Sequence, residues 1–114
     1  MYDEALNGSD IESLKHYTAD SSSSGHLYLA RLIGKDEAFR NNVIRKMAER
    51  NIATNVHYKP LPMHTAYQKL GFRMENYPNA YEMYKNEITL PLHTLLSDDD
   101  VKYVAENLKM ILKG

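Results

Sequence analysis

The sequence contains no cysteine. That excludes a disulfide framework and a thiolate metal site, and it fits a reducing, cytoplasmic compartment. No apolar run approaches the roughly 20 residues needed to span a bilayer. The opening Met1-Tyr2-Asp3-Glu4-Ala5-Leu6 lacks the basic end and apolar stretch of a secretory leader. Surplus positive charge is missing too: 14 basic residues face 15 acidic ones, for a formal net charge of -1. A nucleic-acid footprint shows a basic excess or stripe, and attraction to an anionic membrane needs one as well. Neither class of partner is expected. There is no internal repeat and no glycine-rich phosphate loop.

What remains is an ordinary globular composition. The chain has 114 residues, 43% hydrophobic and 25% charged, enough for one domain with a modest core. Residues 1–24 read as a lead-in that ends in the flexible, serine-rich run Ser21-Ser22-Ser23-Ser24-Gly25. Residues 25–114 read as the domain proper. His26 to Ile33 has the pattern of a strand, with Leu27, Leu29 and Arg31 on one face. Asp36 caps a helix running to about Arg50, in which Phe39, Val43 and Met47, with Ile44 and Ala48, recur at helical spacing. Asn51 stands where a left-handed residue ends a helix.

Ile52 to Tyr58 then reads as a second strand, stopped by Pro60 and Pro62, which lack a backbone donor. A short helix over Thr65–Leu70 ends at Gly71. Pro78 opens another, running to about Asn86. Glu87 to Leu90 is a short strand. Ser97 caps a last helix with Asp98, Asp99 and Asp100 in its first turn, and Val101, Val104, Leu108 and Ile111 form its apolar face. The order β-α-β-α-α-β-α predicts an α+β fold, a small antiparallel sheet with helices packed on it.

Chemistry concentrates in Val56-His57-Tyr58-Lys59-Pro60-Leu61-Pro62-Met63-His64-Thr65-Ala66-Tyr67. Loops beside strand ends often carry function. Histidine exchanges protons near neutral pH, and tyrosine offers a hydroxyl on a flat apolar face; both suit a sugar or phosphate ligand. The plainer reading stands beside this one: Tyr58 and Tyr67 also suit the edge of a core, and Lys59 a solvated surface. His57 and His64 have no carboxylate or third histidine at ligand spacing, so no metal is expected. Asp98 to Asp100 lacks the spaced ligands of a calcium loop; helix capping accounts for it. Composition and spacing stop at a small α/β domain with one notable loop and no complete catalytic set.

The same residues resemble the C-terminal small domain of the DegT-type (DegT/DnrJ/StrS) sugar aminotransferases, a branch of the fold-type I PLP enzymes. His26-Leu27-Tyr28 is similar to the family's H-L-Y strand, and Asn51 to Tyr58 to its G-I-x-T-x-V-H-Y, with Asn in place of the usual Gly. Pro60-Leu61 and His64 fit the P-L and H that follow. Tyr77-Pro78-Asn79-Ala80, Glu87-Ile88-Thr89-Leu90-Pro91-Leu92 and Leu96-Ser97-Asp98 complete the series over roughly residues 26–112. The resemblance implies a PLP-dependent enzyme that moves an amino group from glutamate to a nucleotide-linked keto-sugar, in cell-surface polysaccharide or amino-sugar biosynthesis. It places the Schiff-base lysine and most phosphate contacts in a large N-terminal domain. This fragment is then expected to hold no catalytic or cofactor-binding residue and to be inactive alone. Its partners would be that PLP domain, the nucleotide sugar and a second subunit of a homodimer. His57, Tyr58 and His64, with Lys59, carry over as substrate-contacting residues. A free-standing sugar-nucleotide-binding module and a pure protein-interaction module are the alternatives.

Overall fold

The computed structural model describes residues 1–114. Three short strands form one antiparallel sheet in the order β1-β2-β3: β1 Ile11–Ser13, β2 Tyr28–Leu32 and β3 Glu87–Leu90. Five helices accompany it: α1 Tyr2–Ala5, α2 Glu37–Ala48, α3 Thr65–Lys69, α4 Pro78–Tyr84 and α5 Asp98–Lys113. The α+β class and the small antiparallel sheet agree with the expectation from sequence.

Side chains alternate across a strand, so the register sorts them into two faces. Ile11 faces Leu32, Ala30 faces Ile88, and Tyr28 faces Leu90. This set is the apolar face. Val43 and Met47 of α2 and Val101, Val104, Ala105, Leu108 and Ile111 of α5 complete its core. The core side of β2 is therefore Tyr28, Ala30 and Leu32; Leu29 and Arg31, on the opposite face, are only half-buried. That opposite face is polar. It carries Arg31, Glu87 and Thr89.

Two elements differ from the expected order. Residues 1–24, read as a lead-in, contain α1 and the edge strand β1, and Tyr2 and Leu6 belong to the core, each 4% exposed. α1 lies against α5, and the Tyr2 hydroxyl donates to the Pro91 carbonyl. The second correction concerns Ile52 to Tyr58, which forms no strand. Only Asn55 makes ladder bonds there, as an isolated bridge to Thr89 on the outer edge of β3. Side chains take the backbone donors that a ladder would need. The Val56 N–H donates to Asn55 Oδ1 at 2.8 Å, and the His57 N–H to Glu87 Oε2 at 3.0 Å. Local capture of this kind competes with sheet pairing.

The helix boundaries follow from their caps. Asp36 accepts the Phe39 N–H at the start of α2, and Asn51 closes it with φ 59°. Gly71, at φ 95°, ends the turn after α3 in a conformation that a side chain would strain. Ser97 and Asp100 form a reciprocal capping box at α5. No helix is long and apolar enough to cross a membrane.

Candidate functional site

The loop between α2 and α3 is fastened to the free edge of β3. Thr89 donates its backbone N–H to the Asn55 carbonyl at 2.8 Å and accepts from the Asn55 N–H at 3.2 Å. Glu87 and Thr89 point to the same face because they are two residues apart in a strand. Both are buried, at 5% and 6% exposure. Their side chains meet His57: Glu87 Oε2 takes the His57 backbone N–H, and the His57 ring nitrogen Nδ1 lies 2.8 Å from Thr89 Oγ1. Thr89 Oγ1 donates in turn to Glu87 Oε1 at 2.7 Å.

A buried carboxylate needs compensation, and here it has several sources. Burial pushes the Glu87 carboxyl above its ordinary range. The Thr89 hydroxyl, the His57 N–H, the His57 ring and the Arg40 guanidinium all act in the other direction. Arg40 is 1% exposed, on the same stripe of α2 as Val43 and Met47. It donates to the carbonyls of Tyr84 at 2.8 Å and Glu87 at 3.0 Å and to Asn41 Oδ1 at 2.8 Å, and lies over the Tyr84 ring. Its charge is thus satisfied, and it ties α2 to the end of α4 and to β3.

Of the four residues singled out from sequence, only His57 is held by this network. The Tyr58 ring meets the His57 ring edge-on, 4.6 Å between centroids, and is otherwise open to solvent at 72% exposure. The peptide between these two residues is cis. Lys59 is exposed. His64, also exposed, places Nε2 3.3 Å from the Lys59 carbonyl. The two histidines share no hydrogen bond, and the chain brings together no set of three His, Asp or Glu residues around a metal position. Glu87, Thr89 and Arg40 were not singled out from sequence. Glu87 and Thr89 lie inside a segment that reads simply as a strand, and Arg40 sits in a helix whose stripe is otherwise apolar.

Beyond the loop lies an apolar groove of about 380 Å³, lined by Pro60, Leu61, Pro62, Tyr67, Phe72, Tyr77 and Ala80. Tyr67 and Phe72 meet edge-on at 6.0 Å, yet Leu61, Phe72 and Tyr77 remain more than 40% exposed.

The class follows from the fold: a helix-backed antiparallel sheet of the kind found in DegT-type PLP aminotransferases. The family model described as the DegT/DnrJ/EryC1/StrS aminotransferase family matches residues 1–109. Spr1654 of Streptococcus pneumoniae, assigned as a sugar aminotransferase and solved in a PMP form, superposes with a TM-score of 0.96 at 51% identity; the match covers 98% of this chain and 28% of that one. The spore coat polysaccharide biosynthesis protein SpsC of Bacillus subtilis is 38% identical over 98 residues, 83% of this chain and 25% of its own length. The UDP-4-amino-4,6-dideoxy-N-acetyl-beta-L-altrosamine transaminase of Helicobacter pylori is 28% identical over 107 residues, 94% of this chain and 28% of its own length. This chain belongs to the DegT/DnrJ/EryC1/StrS aminotransferase family. It spans about a quarter of the length of the curated relatives it matches.

Spr1654 is also solved in a PLP form. The residues present here do not fit that cofactor. A Schiff-base lysine is desolvated beside a cradle for the phosphate, and none of the lysines in this chain is buried.

Proposed function

We propose that this chain is the small C-terminal domain of a PLP-dependent aminotransferase that transfers an amino group from glutamate to a nucleotide-linked keto-sugar. The full enzyme would act in the cytoplasm as a homodimer, in polysaccharide or amino-sugar biosynthesis, with the cofactor lysine on a preceding large domain. In this reading the 57–64 loop faces the substrate. His57 is held rigidly, whereas Tyr58, Lys59 and His64 stand open beside it and contact the sugar or its diphosphate. The apolar groove alongside is the surface that the large domain would cover.

The observation that carries this reading is the fastening of the loop. A binding side chain works best when its own rotamer is locked by a supporting shell. His57 has that support on both its backbone and its ring. Family membership supplies the reaction class, and the names of the relatives point to UDP- and dTDP-linked sugars as the substrate class, with the amino sugar as the product.

The test uses the chain joined to its large domain. His64→Ala should raise the KM for the keto-sugar at least about tenfold, the loss of one hydrogen bond to a charged group, and leave the KM for glutamate nearly unchanged. Equal effects on both would remove His64 from the sugar site.

A further inference from the structure

Thr89 stands between a carboxylate and an imidazole, and its single proton sets the direction of the whole hydrogen-bond chain. An ionised carboxylate can only accept. Glu87 Oε2 is taken by the His57 backbone N–H, so Oε1 receives the Thr89 hydroxyl proton at 2.7 Å. Thr89 Oγ1 then has only lone pairs to offer His57 Nδ1, 2.8 Å away. Nδ1 must carry the proton. A neutral imidazole has one N–H, so Nε2 is left as a bare acceptor. Nε2 makes no hydrogen bond within the chain and is not closed off from solvent.

We propose that Glu87 and Thr89 are positioning residues that fix His57 as its Nδ1–H tautomer. Nε2 is thereby presented as an acceptor for a hydroxyl of the bound sugar, not as a donor to a phosphate oxygen. The ligand half of this inference rests on the proposed role of the loop; the tautomer half does not. The scaffold suits the task. β3 is paired along one edge by β2 and along the other by Asn55, and Arg40 holds the Glu87 carbonyl from behind. The backbone that carries the relay is therefore pinned along both edges.

Glu87→Gln makes a sharp prediction. Its one amide oxygen stays with the His57 N–H, which turns the amide NH₂ toward Thr89 Oγ1. The threonine must then donate to Nδ1, and the ring proton moves to Nε2. Long-range ¹⁵N correlation spectra of the His57 ring at neutral pH read this directly. The wild-type chain should show a protonated-type Nδ1 and a lone-pair-type Nε2. Glu87→Gln should exchange the two signatures. Thr89→Val should lose the fixed tautomer, and Thr89→Ser should keep it. If Glu87→Gln does not fold, the Thr89 pair decides alone. An Nε2–H ring in the wild-type chain, or an unchanged ring in folded Thr89→Val, overturns the relay.

The ligand half is read by titrating the chain, joined to its large domain, with UDP-N-acetylglucosamine and, separately, with UDP. Movement of the Nε2 resonance with the sugar nucleotide but not with UDP supports hydroxyl recognition. Equal movement with UDP assigns the ring to phosphate and overturns it. No movement with either overturns the ligand half, and with it the substrate-facing loop, while the tautomer result stands separately.

Discussion

Asn51 holds a φ of 59° at the point where α2 gives way to the functional loop. The left-handed region costs an ordinary L-residue about 1–2 kcal/mol, and Asn and Gly least. Asn51→Ala should therefore lower stability by about 1 kcal/mol, and Asn51→Gly should be close to neutral, as read by urea unfolding. The spacing of the α2 stripe and the identity of residue 51 make this turn legible in the sequence. The partners of His57 are not. A histidine after a valine shows nothing of which side chains it will meet 30 residues on. Glu87 and Thr89 stand two apart in a strand pattern, which states that they share a face but not that the face will be buried. Arg40 had a weak signal: it is three residues before Val43 and seven before Met47, hence on their stripe, and a charge there can be buried only if it finds partners.

At the scale of elements, α5 is the part most fully written in the sequence. Val101, Val104, Leu108 and Ile111 recur at helical spacing, and all four are buried. Its start is set by the capping box, in which the Ser97 hydroxyl accepts from the Asp100 N–H and the Asp100 carboxylate accepts from the Ser97 N–H. Ser97→Ala should cost about 1 kcal/mol and shift the unfolding midpoint without changing its slope. The Ser97 N–H and, after it, the Ser97 hydroxyl also hold the Asp100 carboxyl below its ordinary range. The hydroxyl's share, the part the substitution removes, is present above the unfolded-state value and fades as pH falls through the lower folded value, so that part of the penalty should shrink in acid. Residues 52–58 mark the opposite limit. Their alternation suits a strand, but Asn55 Oδ1 and Glu87 Oε2 claim the donors first, and no periodic pattern records such a capture.

For the whole molecule, the sheet is closed by residues far apart along the chain. The Tyr2 and Tyr28 rings meet at a tilt, 4.8 Å between centroids, under the sheet's apolar face, and both phenols are pushed up to about 12. Burial is the larger cause for each. The charge of Asp100 adds to it at Tyr2, and the hydrogen bond to Asp3 adds to it at Tyr28. A phenol raised above its unfolded value favours the folded state fully below about pH 10. It loses that contribution as pH climbs through the folded value. Urea midpoints should thus fall between about pH 10 and 12, and the last phenolate absorbance to develop should come from these two rings. Phe at position 28 should remove its share of the alkaline loss.

The packing of α1 against α5 has a consequence for synthesis. Tyr2 and Leu6 leave the ribosome long before α5, yet the surface that covers them is supplied partly by Val101, Val104 and Ala105. A nascent chain halted after Leu96 would hold all three strands and still have no lid for its apolar face. Such a chain should remain protease-sensitive and bound by chaperones on the ribosome, and resistance should arrive in a single step when α5 clears the exit tunnel.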